Sequence, residues 1–381
     1  MDFDLTQEQE EFRRSVLRFA RAELNDDVAG RDARREFSPE AWKRCAAFGI
    51  QGLPLPEEFG GGDADAITIA LAMEALGYGC TDNGLLFSLN AQMWSCEIPI
   101  LRFGTEVQKS RYLPALCDGS LIGVQGMTEP GSGSDAFSLT TSVARDGDGF
   151  VLNGSKTFIT NAPVAGIFVV FATTDPNLGF AGLSAFLVER DAPGLTVGPP
   201  FDKMGLRTSP MSELVFADCR LPGSAQLGKP GAGMAVFNAS MDWERSFILA
   251  SAVGTMQRLL ERSINYARER KQFGQPIGRF QSVANKVVDM KLRLETARMM
   301  LYRLAWLRTA GRSTALESAM VKLYVSESFL QTALDALQVH GGAGYLTDTE
   351  LERDVRDAIG GRIYSGTSEI QRTIVARRLG L

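Results

Sequence analysis

One histidine, His340, stands in a chain of 381 residues. That excludes a multi-histidine metal site and leaves a single candidate for any Ser–His or Cys–His pair. His340 lies in QVHGGAGY with no nucleophile motif beside it, so it reads as structural or cofactor-adjacent. Cysteine is sparse too. Cys45, Cys80, Cys96, Cys117 and Cys219 are odd in number and scattered, and they form no C-x-x-C. This excludes a zinc site and a disulfide framework, and it suits reduced thiols and a cytoplasmic location. A basic excess is also missing. The net charge is −5 and the only basic clusters are short pairs such as Arg34-Arg35 and Arg377-Arg378, which argues against a nucleic-acid partner. No apolar run approaches the roughly 18 residues of a membrane span. The N-terminus, MDFDLTQEQEEF, is acidic and polar, unlike a signal peptide. Acid–base chemistry is thereby left to carboxylates, Tyr, Lys or a cofactor, with no metal expected.

What remains is an ordinary globular composition, 45% hydrophobic and 22% charged, long enough for two or three cores. The first third reads as helices. Thr6 and Gln9 have the spacing of a capping box, and Phe12, Val16, Phe19 and Ala20 mark one helical face. PLPEEFGGGDADA is a loop, and helical patterns resume from about Ile67 to Leu116. From Leu121 to Pro222 the chain changes character. Short β-branched and aromatic runs (GFVLNGSKTFITN, GIFVVFATT, SAFLVERD, SELVFADCRLP) alternate with turn signals, the spacing of a small antiparallel barrel or sandwich. QLGKPGAGM reads as a linker. Long helices follow over 234–270, 280–310 and 313–340, with a shorter one after Thr367, and together they suggest a bundle. The expected fold is mainly α with a central β domain, divided at 1–119, 120–226 and 227–381.

One carboxylate is out of place. Between Lys229 and Arg258 the only ionisable side chains are Asp242, Glu244 and Arg245. The run from Trp243 to Met256 reads as a mostly buried helix. Residues three or four apart share a helix face, so Asp242 and Arg245 can pair. The corresponding positions around Glu244 are Ser240, Met241, Phe247 and Ile248, none of them charged. A buried carboxylate without a partner is costly or has a raised pKa. From this segment alone, Glu244 either pairs across a helix–helix contact, sits at an exposed end, or does chemistry.

Several motifs could touch a ligand. MTEPGSGSDAFSL holds Gly131-x-Gly133-x-x-Ala136, which matches the dinucleotide fingerprint. The residues that follow, FSLTTSVARDGDGF, read as strand and turn where the fingerprint needs a helix, so a Rossmann site is excluded on context. The Gly-Ser turn can still present N–H and hydroxyl groups to a flat polar ligand. In RERKQFGQPIGRFQ, Arg270 and Phe273 flank a turn, as a cation and an aromatic holding a diphosphate and a base would. QVHGGAGY and RIYSGTSEIQR place glycines where backbone can approach a ligand, and Thr367 and Glu369 open a helix. Each, taken singly, is an ordinary turn.

Taken together, MTEPGSGSD, KTFITN, RERKQFG with a later FQ, QVHGGAGY and YSGTSEIQR resemble the acyl-CoA dehydrogenase family in order and spacing, over essentially the whole chain. The resemblance implies an N-terminal helical domain, a central β domain and a C-terminal four-helix bundle. It also implies FAD and a homotetramer built from dimers, each flavin site being completed by a neighbouring subunit. Carried over by position, Gln125, Met127, Thr128 and Ser134 would line the flavin and the thioester end of the substrate. Phe158 and Thr160 would pack on the ring system and bond near its reactive nitrogen. Arg270, Phe273, Gln281, Gln338, Gly341 and Gly342 would reach the diphosphate and adenine of the partner's FAD. Thr367 and Glu369 would contact the cofactor from the last helix.

The resemblance breaks at one position. Most of the family has Glu-Gly-Thr, with Glu as catalytic base, where this chain has Ser365-Gly366-Thr367. A serine hydroxyl cannot take an α-proton at neutral pH unaided. A branch that includes isovaleryl-CoA dehydrogenase carries its base in an E-R pair on the helix that opens the bundle, which corresponds to Glu244-Arg245. Glu244 then looks like the relocated base, with Arg245 and Ser365 beside the substrate. ALGYGCTDNGLLF, SMDWERSF, DKMGLRTSP and IYSGTSEIQ narrow the resemblance to dehydrogenases that oxidise prolyl groups on a peptidyl carrier protein to pyrrole-2-carboxyl thioesters. The expected partner is a carrier protein with a phosphopantetheine-linked substrate. Oxygen or an electron-transfer flavoprotein would take the electrons. The alternatives are a short or branched acyl-CoA dehydrogenase and, more remotely, an inactive paralogue.

Overall fold

The computed structural model describes residues 4–381. Helices come first: α1 (Gln7–Glu23), α2 (Val28–Arg34), α3 (Pro39–Phe48), α4 (Ala66–Gly79), α5 (Asn83–Gln92), α6 (Ile98–Phe103) and α7 (Glu106–Cys117). The expected capping box opens α1: Gln9 N donates to Thr6 Oγ1 at 3.2 Å and Thr6 N to Gln9 Oε1 at 3.1 Å. Val16 and Ala20 on its inner face are fully buried against α4. Between α5 and α6 the helix widens into a π-turn, Met93–Glu97.

The strands follow: β1 (Gly123–Gly126), β2 (Ser142–Asp146), β3 (Gly149–Thr160), β4 (Ile167–Thr173), β5 (Leu183–Glu189), β6 (Leu195–Val197), β7 (Met211–Leu221) and β8 (Gln226–Leu227). They form one sheet in the order β6-β7-β3-β2-β4-β5-β8, and β1 pairs with β4 in parallel, Gln125 opposite Val169. Every residue of β4 is buried because the sheet has a core on each side. Phe168, Val170 and Ala172 join one core; Ile167, Val169 and Phe171 join the other. Such a strand reads as a continuous apolar run. In the antiparallel β3–β7 pair the register shifts between Lys156 and Ile159, so β3 carries a bulge there.

The last part holds α8 (Gly233–Phe247), α9 (Ala250–Glu269), a ribbon of β9 (Lys271–Gln272) and β10 (Gln275–Pro276), α10 (Gln281–Thr309), α11 (Ala315–His340), α12 (Leu351–Gly360) and α13 (Ser368–Arg378). Two expectations are corrected. The run 234–270 is two helices, broken at Ile248 and Leu249, although no Pro or Gly marks the break. Phe247, Ile248, Leu249 and Ala250 are all buried at the junction, so tertiary packing outweighs local helix propensity. Helix α12 is additional to the single helix expected after residue 340.

Helices α4 and α9 cross closely. An added Cβ on Gly77 would lie 1.8 Å from Ser251 O, and one on Gly254 would lie 2.0 Å from Glu74 O. Gly254→Ala is therefore expected to cost roughly 1–3 kcal/mol by overpacking, read as a lower urea midpoint at unchanged slope.

Candidate active site

Glu244 lies in the last turn of α8 and is 9% exposed. Its partner comes from 121 residues further along: Ser365 Oγ donates to Glu244 Oε1. Ser365 belongs to the turn between α12 and α13. Its φ is 57° and that of Gly366 is 88°, both left-handed. A side chain at Gly366 would also strike Gln371 Nε2, 2.7 Å from an added Cβ. The turn is held by donors on several sides. Gln371 Nε2 donates to Ser365 O at 3.1 Å and to Gly366 O at 2.9 Å. Arg245 Nε donates to Ser365 O at 3.4 Å, and Lys322 Nζ to Gly366 O at 2.6 Å. Strained backbone persists where its surroundings over-determine it.

Burial pushes the Glu244 carboxyl above the ordinary carboxylate range, while the Ser365 hydroxyl, Arg245 and Lys322 oppose the rise. Burial likewise pushes Lys322 down to about 8, with Arg245 adding to the shift and Glu244 opposing it. Asp242 does not pair with Arg245 as its spacing allowed. It meets Arg308 of α10 at 2.6 Å, and that guanidinium lies 4.5 Å over the Trp243 ring. Arg245 is left to the Ser365 carbonyl.

The sheet reaches the same place through Gln125 on β1. Its Oε1 accepts from Ser240 Oγ at 3.0 Å, and Ser240 is one helical turn from Glu244 on the same face. Gln125 Nε2 is buried without a partner. Met127 is buried and Thr128 follows it. Thr128 O accepts from Thr157 N at 2.9 Å, and Met127 O from Lys156 Nζ at 3.2 Å. The β3 bulge then turns Phe158 outward, with φ 58° and 62% exposed, its ring centroid 5.9 Å from that of Phe201. Thr160 stands at the end of β3 opposite Met211. Ser134 is exposed in the loop before β2, and no helix follows Gly131 and Gly133, in keeping with the exclusion of a Rossmann site. Thr367 caps α13, accepting from Ile370 N at 3.3 Å, and Glu369 is exposed in the first turn.

A second set gathers at the other end of the bundle. Arg270 ends α9. Phe273 follows it in the β9–β10 turn with φ 50° and 92% exposure, and Gln281 opens α10. Gln338 lies in the last turn of α11, and Gly341, with φ 59°, follows it, then Gly342. Tyr266 stacks on His340 with centroids 4.2 Å apart, which brings the ends of α9 and α11 together. Among the described residues, no hydrogen bond joins this set to the one around Glu244. The two sets of residues thus lie apart in the folded chain. An unsatisfied buried amide at Gln125 and an outward aromatic ring at Phe158 suit a flat cofactor with a polar edge, such as a flavin.

Sequence reasoning missed Lys322, Ser240, Tyr364 and the buried pair Glu129–Lys156, whose atoms approach to 2.7 Å. One signal was available. Ser318, Lys322 and Ser326 recur every fourth residue along the inner face of α11, all buried. A lysine in that row has no reason to be there as filler.

Comparison with known proteins agrees along the whole chain. Family models for the N-terminal, middle and C-terminal domains of acyl-CoA dehydrogenases match residues 6–120, 125–219 and 231–380. An L-prolyl-[peptidyl-carrier protein] dehydrogenase of Serratia sp. is 45% identical over 381 residues, covering 100% of this chain and 99% of that protein. The crystal structure of the prolyl acyl carrier protein oxidase AnaB superposes with a TM-score of 0.98 at 50% identity, covering 99% of this chain and 100% of that one. The structure of PigA with FAD and proline gives a TM-score of 0.98 at 44% identity, covering 100% of both chains. With three ordered domain matches and full-length relatives well above 30% identity, the chain belongs to the acyl-CoA dehydrogenase family.

Proposed function

We propose that this enzyme oxidises an L-prolyl group, held as a thioester on a peptidyl carrier protein, to the pyrrole-2-carboxyl thioester, using FAD. The observation that carries the reading is Glu244, buried and bonded by Ser365 Oγ, in a chain whose position 365 is not a carboxylate. The names of the similar proteins supply the substrate class.

Glu244 takes the α-proton of the prolyl thioester as general base. Its burial brings its pKa up toward the working pH, where a base is most effective. Bound FAD supplies the hydride acceptor. Gln125, Met127, Thr128, Phe158 and Thr160 are read as its bed on the sheet side, with Ser134 at the thioester end and Thr367 and Glu369 on the helix side. Arg245 and Ser365 border the substrate. The sealed position of Glu244 keeps water from competing for its proton. Two successive two-electron oxidations are needed, so oxygen or an electron-transfer flavoprotein removes electrons between them.

The second set of residues is read as serving a neighbour's FAD, within a homotetramer. Helix α10 supports this assembly. It exposes Val288 (54%), Leu292 (61%), Met299 (46%) and Trp306 (44%) in one stripe of four- and seven-residue steps. The three units 1–119, 120–226 and 227–381 follow the change from helices to strands and back. Five free, buried thiols fit a reducing, cytoplasmic setting. Among the described residues no helix is long and apolar enough to cross a membrane.

The test is intact mass spectrometry of a prolyl-loaded carrier protein after incubation with the yellow holoenzyme, with isovaleryl-CoA in parallel. The expected result is loss of four hydrogens from the carrier-bound prolyl group and none from the CoA ester. An unchanged prolyl group with a desaturated CoA ester would make this a conventional acyl-CoA dehydrogenase with a relocated base.

A further inference from the structure

Lys322 is the least expected charge near the site. It is fully buried on α11, and among the described residues it forms no salt bridge. Its ammonium instead donates to Gly366 O at 2.6 Å and stands 5.9 Å from the centre of the Tyr364 ring. It therefore holds the segment 364–366 together with Arg245 and Gln371, which donate to the Ser365 carbonyl, Gln371 also sharing Gly366 O with Lys322. A buried ammonium is costly, and a methionine would fill the space without that cost. What the lysine adds is a donor and a positive charge. A non-glycine residue with φ 57° is also costly, and it persists only when its neighbours fix it. What the strained turn achieves is the direction of one hydroxyl, which meets Glu244 Oε1.

We propose that Lys322 and Ser365 form one positioning unit for the base: Lys322, through the carbonyl of Gly366, fixes the left-handed turn from which the Ser365 hydroxyl holds the Glu244 carboxyl group in place. The inference rests on the reading of Glu244 as the base. The groups facing Glu244 are Arg245 on its own helix, Lys322 from α11, and Ser365 and Tyr364 from the turn before α13; Asp242 is engaged by Arg308. Arg245, Lys322 and the Ser365 hydroxyl all favour the carboxylate over the acid, against burial. Removing any of them leaves burial less opposed, so the carboxyl pKa rises further.

The test compares pH profiles of kcat and kcat/KM for the holoenzymes of Ser365→Ala and Lys322→Met, using a prolyl-loaded carrier protein. A second readout is infrared titration of the Glu244 carboxyl in the substrate-free holoenzyme, with Glu244→Gln identifying the band. In Ser365→Ala the acid limb is expected to move up by about one pH unit, so that the rate below the limb falls about tenfold and recovers toward wild type at high pH. The infrared band shifts with it. Lys322→Met moves the limb in the same direction, and the double variant falls short of the sum because both act through one turn. A loss equal at every pH, with limb and band unmoved, would show a merely structural role and overturn the proposal. Should Lys322→Met fail to fold, Ser365→Ala alone decides. An active Glu244→Gln enzyme is a different failure, since it removes the base itself, whereas an unmoved limb beside an inactive Glu244→Gln removes only the positioning unit.

Discussion

Glu244→Gln is expected to lower turnover by about 10³-fold, the contribution typical of a well-placed general base. Glutamine keeps the shape of the side chain and its carbonyl oxygen can still accept from Ser365 Oγ, so the turn around 364–366 stays in place. What it cannot do is take a proton. The cofactor should remain bound and the protein yellow, because no residue of the proposed flavin bed depends on that charge. Stability should not suffer. Burial raises the Glu244 pKa, so between its ordinary value of 4.5 and its value in the folded protein the native state binds more protons than the unfolded state. Stability then falls as pH rises through that window, and replacing the acid by the amide removes this penalty at neutral pH. The measurement is stopped-flow loss of oxidised-flavin absorbance on mixing with a prolyl-loaded carrier protein, alongside a melting curve. Fast bleaching in the variant would place the base elsewhere.

The sequence announced Glu244 as an anomaly but not how it is held. Periodicity could show that no charge lies three or four residues away on its helix. It could not show Ser365, because that contact spans 121 positions. The same limit hid the pairing of Asp242 with Arg308, which joins α8 to α10, and the Lys322 contact to Gly366 O, which joins α11 to the turn before α13. Local signals fared better where the physics is local. The Thr6–Gln9 capping box is present, and the alternation of helices, strands and helices follows from periodicity and turn residues. The break at Ile248–Leu249 was invisible, since only packing of α8 and α9 in the core requires it. The bulge that turns Phe158 outward was equally hidden, because KTFITN reads as an uninterrupted strand and the extra residue exists only relative to β7. The places beside the proposed site where local reading failed are the junction next to Glu244 and the β3 bulge, whereas the Ser365 segment does form the turn before α13 that its glycine and Thr367 indicate. Locally unfavourable backbone is expected where a site needs a particular direction more than a regular ladder.

The largest effect on stability is expected from Lys156→Met. Lys156 on β3 and Glu129 in the loop after β1 meet at 2.7 Å, with side chains 0% and 2% exposed. Glu129 also accepts from Thr140 N and Thr140 Oγ1, each at 2.6 Å, and from Thr141 N at 3.0 Å. Lys156 donates further to Met127 O at 3.2 Å. The pair therefore ties the loop that carries Met127, Thr128 and Ser134 to the strand that carries Phe158 and Thr160. Removing the ammonium strands a buried carboxylate, a change that costs roughly 3–5 kcal/mol. A double variant, Lys156→Met with Glu129→Gln, should recover part of that loss, because no charge is then left unpaired. Acid should act in the same direction. Burial works to raise the Glu129 pKa, but Lys156 and the two threonines outweigh it and hold the carboxyl well below 4.5. The stabilisation is thus fully present above the ordinary carboxylate range and is lost as pH falls below it toward about 2. Melting curves of the wild type should drop across that window, and those of Lys156→Met should drop less. Flavin occupancy, read as visible absorbance per protein, should fall in Lys156→Met and partly return in the double variant. A single variant with wild-type melting and full colour would show that the pair holds neither the fold nor the flavin bed together.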